Sequence, residues 1–220
     1  MIRDHGLSLV TAALFLAFLA AQTLTGLNAF NAERAQEGQP TITLQEYVAS
    51  GPFLSATAEN WESEFLQMAA YVAMTAFLFQ RGSSESKRPG RKEAVDRDPR
   101  AARGETLKHA PWPVRRGGWV LRVYEQSLSL AFLLLFLASF VLHAAGSAQA
   151  FNEERAMQGD APVTVLQYLH GAKFWFESFQ NWQSEFLAIF AMVVLSIFLR
   201  QRGSPESKPV DAPHSQTGSD

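Results

Sequence analysis

The chain is written nearly twice over, and each copy carries two apolar segments. Asn60-Trp61-Glu62-Ser63-Glu64-Phe65-Leu66 returns as Asn181-Trp182-Gln183-Ser184-Glu185-Phe186-Leu187. Ala29-Phe30-Asn31-Ala32-Glu33-Arg34-Ala35 returns as Ala150-Phe151-Asn152-Glu153-Glu154-Arg155-Ala156, and Gln80-Arg81-Gly82-Ser83-Ser84-Glu85-Ser86-Lys87 returns as Gln201-Arg202-Gly203-Ser204-Pro205-Glu206-Ser207-Lys208. All three pairs share one spacing (182 − 61 = 121), so the copies align without a gap. Roughly four in ten aligned positions are identical, too many for chance at a fixed offset. Whatever path one copy takes through a bilayer, the other is expected to repeat in the same sense.

Residues 7–30 and 128–151 hold no Asp, Glu, Lys or Arg. At 1.5 Å per helical residue, each crosses a hydrocarbon core of roughly 30 Å. Residues 65–80 and 186–199 are shorter apolar runs that reach only about 24 and 21 Å and need their flanks. The expected spans, flanks included, are about 7–30, 62–80, 125–151 and 183–200. The first apolar run also has the outline of a secretory signal, but its counterpart in mid-chain favours a retained span. The shorter runs also admit buried helices of a soluble fold. The fold class expected is an all-α membrane protein of four transmembrane helices, arranged as two tandem hairpins of parallel topology. The first hairpin occupies 1–88, a basic linker 89–118, the second hairpin 119–209 and a tail 210–220.

Orientation follows from Lys and Arg. The segment 82–118 holds ten of them against five acids, whereas the loop inside the first copy has only Arg34 and that inside the second has Arg155 and Lys173. The positive-inside bias puts the linker and both termini in the cytoplasm. The linker is charged, poor in aliphatics and punctuated by Pro89, Pro99, Pro111 and Pro113, so it is expected to be disordered, as is the tail. Within it Trp112, Arg115, Arg116 and Trp119 fit either adhesion to anionic headgroups or ordinary flanking of the third span. Gly82 and Gly203 fit the left-handed position after a helix. The shared Ser-x-Glu-Ser-Lys has no local explanation.

Each outer loop carries a capping-box pattern, Thr43-x-x-Glu46 and Thr164-x-x-Gln167, ahead of Tyr47 and Tyr168, which are expected at the bilayer interface. Asn60 and Asn181 are placed to cap the second and fourth spans, with Trp61 and Trp182 as interfacial anchors. An outer polar cluster is expected from Glu33, Arg34, Glu64, Glu154, Arg155 and Glu185. Its readings are charge pairs, Glu64 with Arg34 and Glu185 with Arg155, or a four-carboxylate divalent-cation site. Gln22 and His143 align in the repeat and form a candidate intramembrane pair, either for interhelical hydrogen bonding or as a proton relay. Small residues, among them Ala17, Ala21, Ala138, Ala144 and Gly146, permit close helix approach.

Cysteine is absent and net charge is −2, so thiolate chemistry is excluded and no basic field points to nucleic acid. No phosphate-binding glycine loop, zinc motif, nucleophile elbow or dinucleotide fingerprint occurs, so neither catalytic residues, a cofactor nor a metal is expected. With these motifs in hand, the chain resembles an uncharacterised family of bacterial integral membrane proteins. Asn31, Glu33, Asn60 to Leu66, Gln80 to Lys87 and their counterparts carry the resemblance. It implies a bacterial plasma membrane and no activity. The function expected is a non-enzymatic membrane scaffold or interaction protein, partnered by the bilayer, by anionic lipid or cytoplasmic protein at the linker, or by further copies of itself. The alternative is a cation or small-solute transport protein.

Overall fold

The computed structural model describes residues 2–218, with side chains from Asp4 onward, and among these no strand occurs. Helix α1 spans Ile2–Gln36, α2 Leu44–Val48 and α3 Gly51–Phe77. Two 3-10 turns at Ala94–Asp96 and Pro99–Ala101 precede α4 (Gly104–His109), α5 (Trp112–Arg116) and α6 (Gly118–Glu125). Then come α7 (Ser127–Met157), α8 (Val165–Leu169) and α9 (Ala172–Phe198). The bounds of α8 and α9 equal those of α2 and α3 displaced by the spacing of the sequence copies (165 − 44 = 121; 172 − 51 = 121).

Three helices, α1, α7 and α9, are long and apolar enough to cross a membrane, where four were expected. Helix α3 matches α9 in length but carries Glu59, Glu62 and Glu64 near its middle, which lowers its hydropathy. Both α3 and α9 begin eleven residues before the expected spans (62 − 51; 183 − 172). Asn60 and Asn181 therefore lie inside helices and cap nothing; the Asn181 amide donates to Glu177 O at 3.3 Å, one turn back. Trp61 and Trp182 likewise sit within helices, not at their ends.

The described chain forms two compact units. One comprises Met1–Glu59 and Phe140–Phe174. Its core is Ala144, Ala148, Tyr168 and Phe174, ringed by Phe140, Phe151, Val163 and Leu169. Here α3 and α7 cross at contact distance. A Cβ on Gly146 would stand 2.6 Å from Ser55 N, and one on Gly51 2.6 Å from Ala150 N. The Ser55 and Ser147 hydroxyls share a hydrogen bond at the crossing. Small side chains let backbones meet where dispersion, not the hydrophobic effect, drives association.

The loops of this unit are folded by local bonds. Helices α1 and α7 end alike: Gln39 N donates to Arg34 O (2.8 Å) and Asp160 N to Arg155 O (2.9 Å), with Gly38 and Gly159 at positive φ between. This six-to-one closure needs a left-handed residue, which glycine adopts without steric cost. The Asn31 side chain donates to Ile42 O and accepts from Ile42 N; Asn152 does the same to Val163. Both capping boxes form as expected, with Thr43 N donating to Glu46 Oε2 at 2.7 Å and Thr164 N to Gln167 Oε1 at 2.8 Å. Tyr47 and Tyr168, expected at an interface, are buried instead, against Phe30 and Phe53 and against Phe151 and Phe174.

The two boxes differ in charge. Bonds from Thr43 hold the Glu46 carboxyl below the usual carboxylate range. Its contribution is present above the ordinary glutamate value and is lost as pH falls through the lowered one. Gln167 does not titrate. Amide hydrogen exchange is therefore expected to show acid loosening at 43–48 but not at 164–169, once intrinsic pH dependence is removed. Glu46→Gln is expected to abolish the difference; equal acid loosening of both loops would contradict this account.

The second unit comprises Asn60–Ser139 and Trp175–Asp220. An aromatic group joins Phe136, Trp175, Phe179 and Trp182, and Phe65 packs near Phe132. The linker and tail, expected to be disordered, carry the short helices and turns given above, tied by polar contacts that composition does not reveal. Lys87 pairs with Asp96 at 2.6 Å and Arg100 with Glu125 at 2.9 Å. The repeated Ser-x-Glu-Ser-Lys acquires an explanation here. Ser86 Oγ accepts from Gln80 N (2.8 Å) and Ser207 Oγ from Gln201 N (2.9 Å), while Ser83 and Ser204 accept from Glu85 N and Glu206 N. Each motif is a self-bonded reverse turn. Gly82 and Gly203 have positive φ, but in turns closed by Ser83 N to Gln80 O and Ser204 N to Gln201 O, several residues past the helix ends.

Candidate functional site

Polar side chains inside the long helices are the candidates for function, and each unit holds one group. In the first unit His143 on α7 is fully buried. Its ring lies 4.7 Å from the Phe174 ring, and its Nε2 stands 4.0 Å from Glu59 Oε2 on α3. Gln22, the expected partner of His143, instead donates to Thr57 Oγ1 at 3.2 Å. Thr57 and Glu59 are two residues apart on α3, and such residues face opposite sides of a helix. Gln22 and His143 thus approach α3 from different sides and do not form a pair. Sequence reading missed Glu59 because it began the second span after it. The signal was present as polar residues at helical spacing among small ones, Ser55, Glu59, Glu62 and Ser63.

In the second unit Glu62 is fully buried, and its Oε1 accepts the indole N–H of Trp182 at 3.0 Å. This bond joins α3 to α9, and Trp175, Phe179 and Phe136 surround the indole. A buried carboxylate needs such a donor, because leaving it unpaired in an apolar setting costs several kcal/mol. Gln67 on α3 also donates to Glu185 O, at 2.9 Å.

The outer Glu/Arg cluster does not assemble as expected. Arg34 donates to Pro40 O at 2.8 Å and lies over the Phe30 ring; Arg155 donates to Ala161 O at 2.7 Å, lies over Phe151 and faces Asp160 at 3.5 Å. Both arginines fasten their own loops. Glu154 pairs with Lys173 at 3.2 Å, and Glu33 and Glu64 are exposed. Among the described residues no group of three or more His, Asp or Glu side chains is placed to hold a metal ion.

These arrangements span both copies, and so does a matching family model, a domain of unknown function (DUF6766) over residues 1–219. The chain belongs to this DUF6766 family. No curated protein and no solved structure matches it. The family assignment covers the whole architecture just described, including linker and tail, and leaves the function to be argued from the polar groups themselves.

Proposed function

We propose that this DUF6766 protein is a non-enzymatic membrane scaffold, built from four helices in two tandem hairpins. The observation that carries this reading is His143. It is completely buried against Phe174 beside the close α3–α7 crossing, so the one ionisable side chain in the uncharged stretch 128–151 of α7 is enclosed by packing. Five surface clefts are lined by residues within 71–126 and 201–218, and neither Gln22 nor His143 lines any of these five. Large apolar side chains point outward, with Leu16, Phe18, Leu134 and Phe190 between 61% and 69% exposed. Such faces suit lipid or a partner helix. The equal bounds and loop bonds of α2–α3 and α8–α9 support duplication, and with it α3 as a fourth crossing. Linker and termini face the cytoplasm of a bacterial plasma membrane in this reading, with oligomers formed through the outward apolar faces.

The absence of cysteine makes the test direct, because every introduced thiol is the only one. In intact cells Glu37→Cys is expected to react with a membrane-impermeant thiol reagent from outside and Arg91→Cys only after lysis. His143→Cys and Ser147→Cys are expected to stay unreactive in both cases. Labelling of the buried pair, together with cation or proton flux through liposomes holding the purified protein, would establish the transport alternative, with Glu59 and His143 on the path. Labelling of Arg91→Cys from outside would invert the topology.

A further inference from the structure

The basic segment before α7 has an unusual balance. Between Glu105 and Glu125 there is no acidic residue, while Lys108, Arg115, Arg116 and Arg122 fall within it. Several other linker cations have carboxylate partners: Lys87 with Asp96, Arg88 with Glu93, Arg100 with Glu125 and, within the segment, Lys108 with Glu105. Among the described residues Arg115 and Arg116 have no carboxylate partner, and both are exposed. They end α5 and face a cleft completed by Trp112, Gly117, Gly118 and Trp119. Gly117 and Gly118 both have positive φ, which turns the chain sharply between α5 and α6 and brings the two indoles to one cleft. Trp112 is 57% and Trp119 73% exposed, leaving large aromatic surfaces open. The Arg116 guanidinium lies 5.8 Å from the Trp112 ring centroid.

Helix α6 runs into the apolar α7 through the single residue Gln126, so this cleft sits at the foot of a membrane-length helix. Exposed tryptophans at that position match the amphipathic headgroup layer, and unpaired arginines match a phosphate in geometry and charge. We propose that the cleft of Trp112, Arg115, Arg116 and Trp119 binds the phosphate headgroup of an anionic lipid. This rests on the reading of α7 as a membrane span. The guanidinium groups supply paired N–H donors to the phosphate oxygens, and the indoles lie at the glycerol level with their N–H groups toward water.

The test uses the full-length protein with Val120→Cys, carrying an environment-sensitive fluorophore, in nanodiscs of phosphatidylcholine with or without phosphatidylglycerol. The expected result is a blue shift that saturates with phosphatidylglycerol content. Arg115→Ala with Arg116→Ala is expected to weaken the apparent affinity roughly 30-fold. Trp119→Ala tests the aromatic share in the same assay. Equal response to inorganic phosphate in pure phosphatidylcholine discs would overturn a lipid site in favour of a free anion. An unchanged spectrum in protein that resists carbonate extraction would overturn the site while leaving the membrane reading intact; protein released by carbonate would remove the membrane reading itself.

Discussion

Gly146→Ala is expected to destabilise the protein, although alanine is the better helix former. On propensity alone the substitution gains about 1 kcal/mol in a helix interior. At the α3–α7 crossing the new methyl would stand 2.6 Å from Ser55 N, 3.0 Å from Leu54 C and 3.1 Å from Gly51 O. All three are backbone atoms of one helix, so no rotamer change relieves the contact and the helices must separate. Separation also strains the Ser55–Ser147 hydrogen bond and the packing of Ala144 and Ala148. Overpacking of this kind costs about 1–3 kcal/mol net, and Gly146→Leu more. Gly6→Ala on α1 is the control, because nothing lies within 4 Å of its Cβ position. Thermal unfolding of the detergent-solubilised protein should therefore fall for Gly146→Ala and hold or rise for Gly6→Ala. A rise for both would show that the crossing is looser than described.

Lys208→Met is expected to release the tail. The Lys208 ammonium is almost completely buried, and backbone oxygens surround it: Gly82 O, Gln216 O at 2.9 Å, His214 O at 3.1 Å and Ile197 O at 3.3 Å. Burial and the nearby Arg200 charge push its pKa down, and the ring of carbonyls opposes them by bonding the charged form. Methionine fills much of the volume but withdraws the ammonium from those oxygens, at about 1–3 kcal/mol for each that neither water nor another donor reaches; Ile197 O keeps the Arg200 guanidinium at 3.2 Å. The tail is also fastened by Gly218 N to Ser83 O at 2.9 Å and by Gly82 N to Thr217 Oγ1 at 2.9 Å. Exchange of the Gly82 and Gly218 amides is expected to accelerate at least about tenfold, the rate equivalent of 1.4 kcal/mol. In Lys208→Ala, added methylammonium should restore part of the protection by occupying the cage. Lys87→Met is expected to change little, because its pair with Asp96 is a surface contact. Unchanged exchange in Lys208→Met would remove the latch.

Lys87 and Lys208 show where sequence reading stops. They occupy equivalent places in the two copies, and the turns before them are bonded alike. One ends on a surface carboxylate and the other in a carbonyl cage, because the tail folds back to bring His214 O and Gln216 O onto Lys208 while Gly82 O arrives from the other copy. The apolar runs located α1 and α7 well, since an uncharged stretch of membrane length has few alternatives. They undercounted α3 and α9, whose first halves are polar yet still helical, because hydropathy measures the environment of a helix and not its length.

By itself the sequence determined what closes over a few residues: the capping boxes at Thr43 and Thr164, the long apolar helices and the pairing of like segments at a constant spacing. Local hydrogen bonds and hydropathy depend on near neighbours, which the sequence displays directly. Tertiary structure alone decided that His143 meets Glu59 and not Gln22, that Glu62 takes the Trp182 indole, and that Arg34 and Arg155 fasten their own loops. Those choices depend on which helix faces are brought together, and packing sets that by fitting glycine against backbone at Gly51 and Gly146.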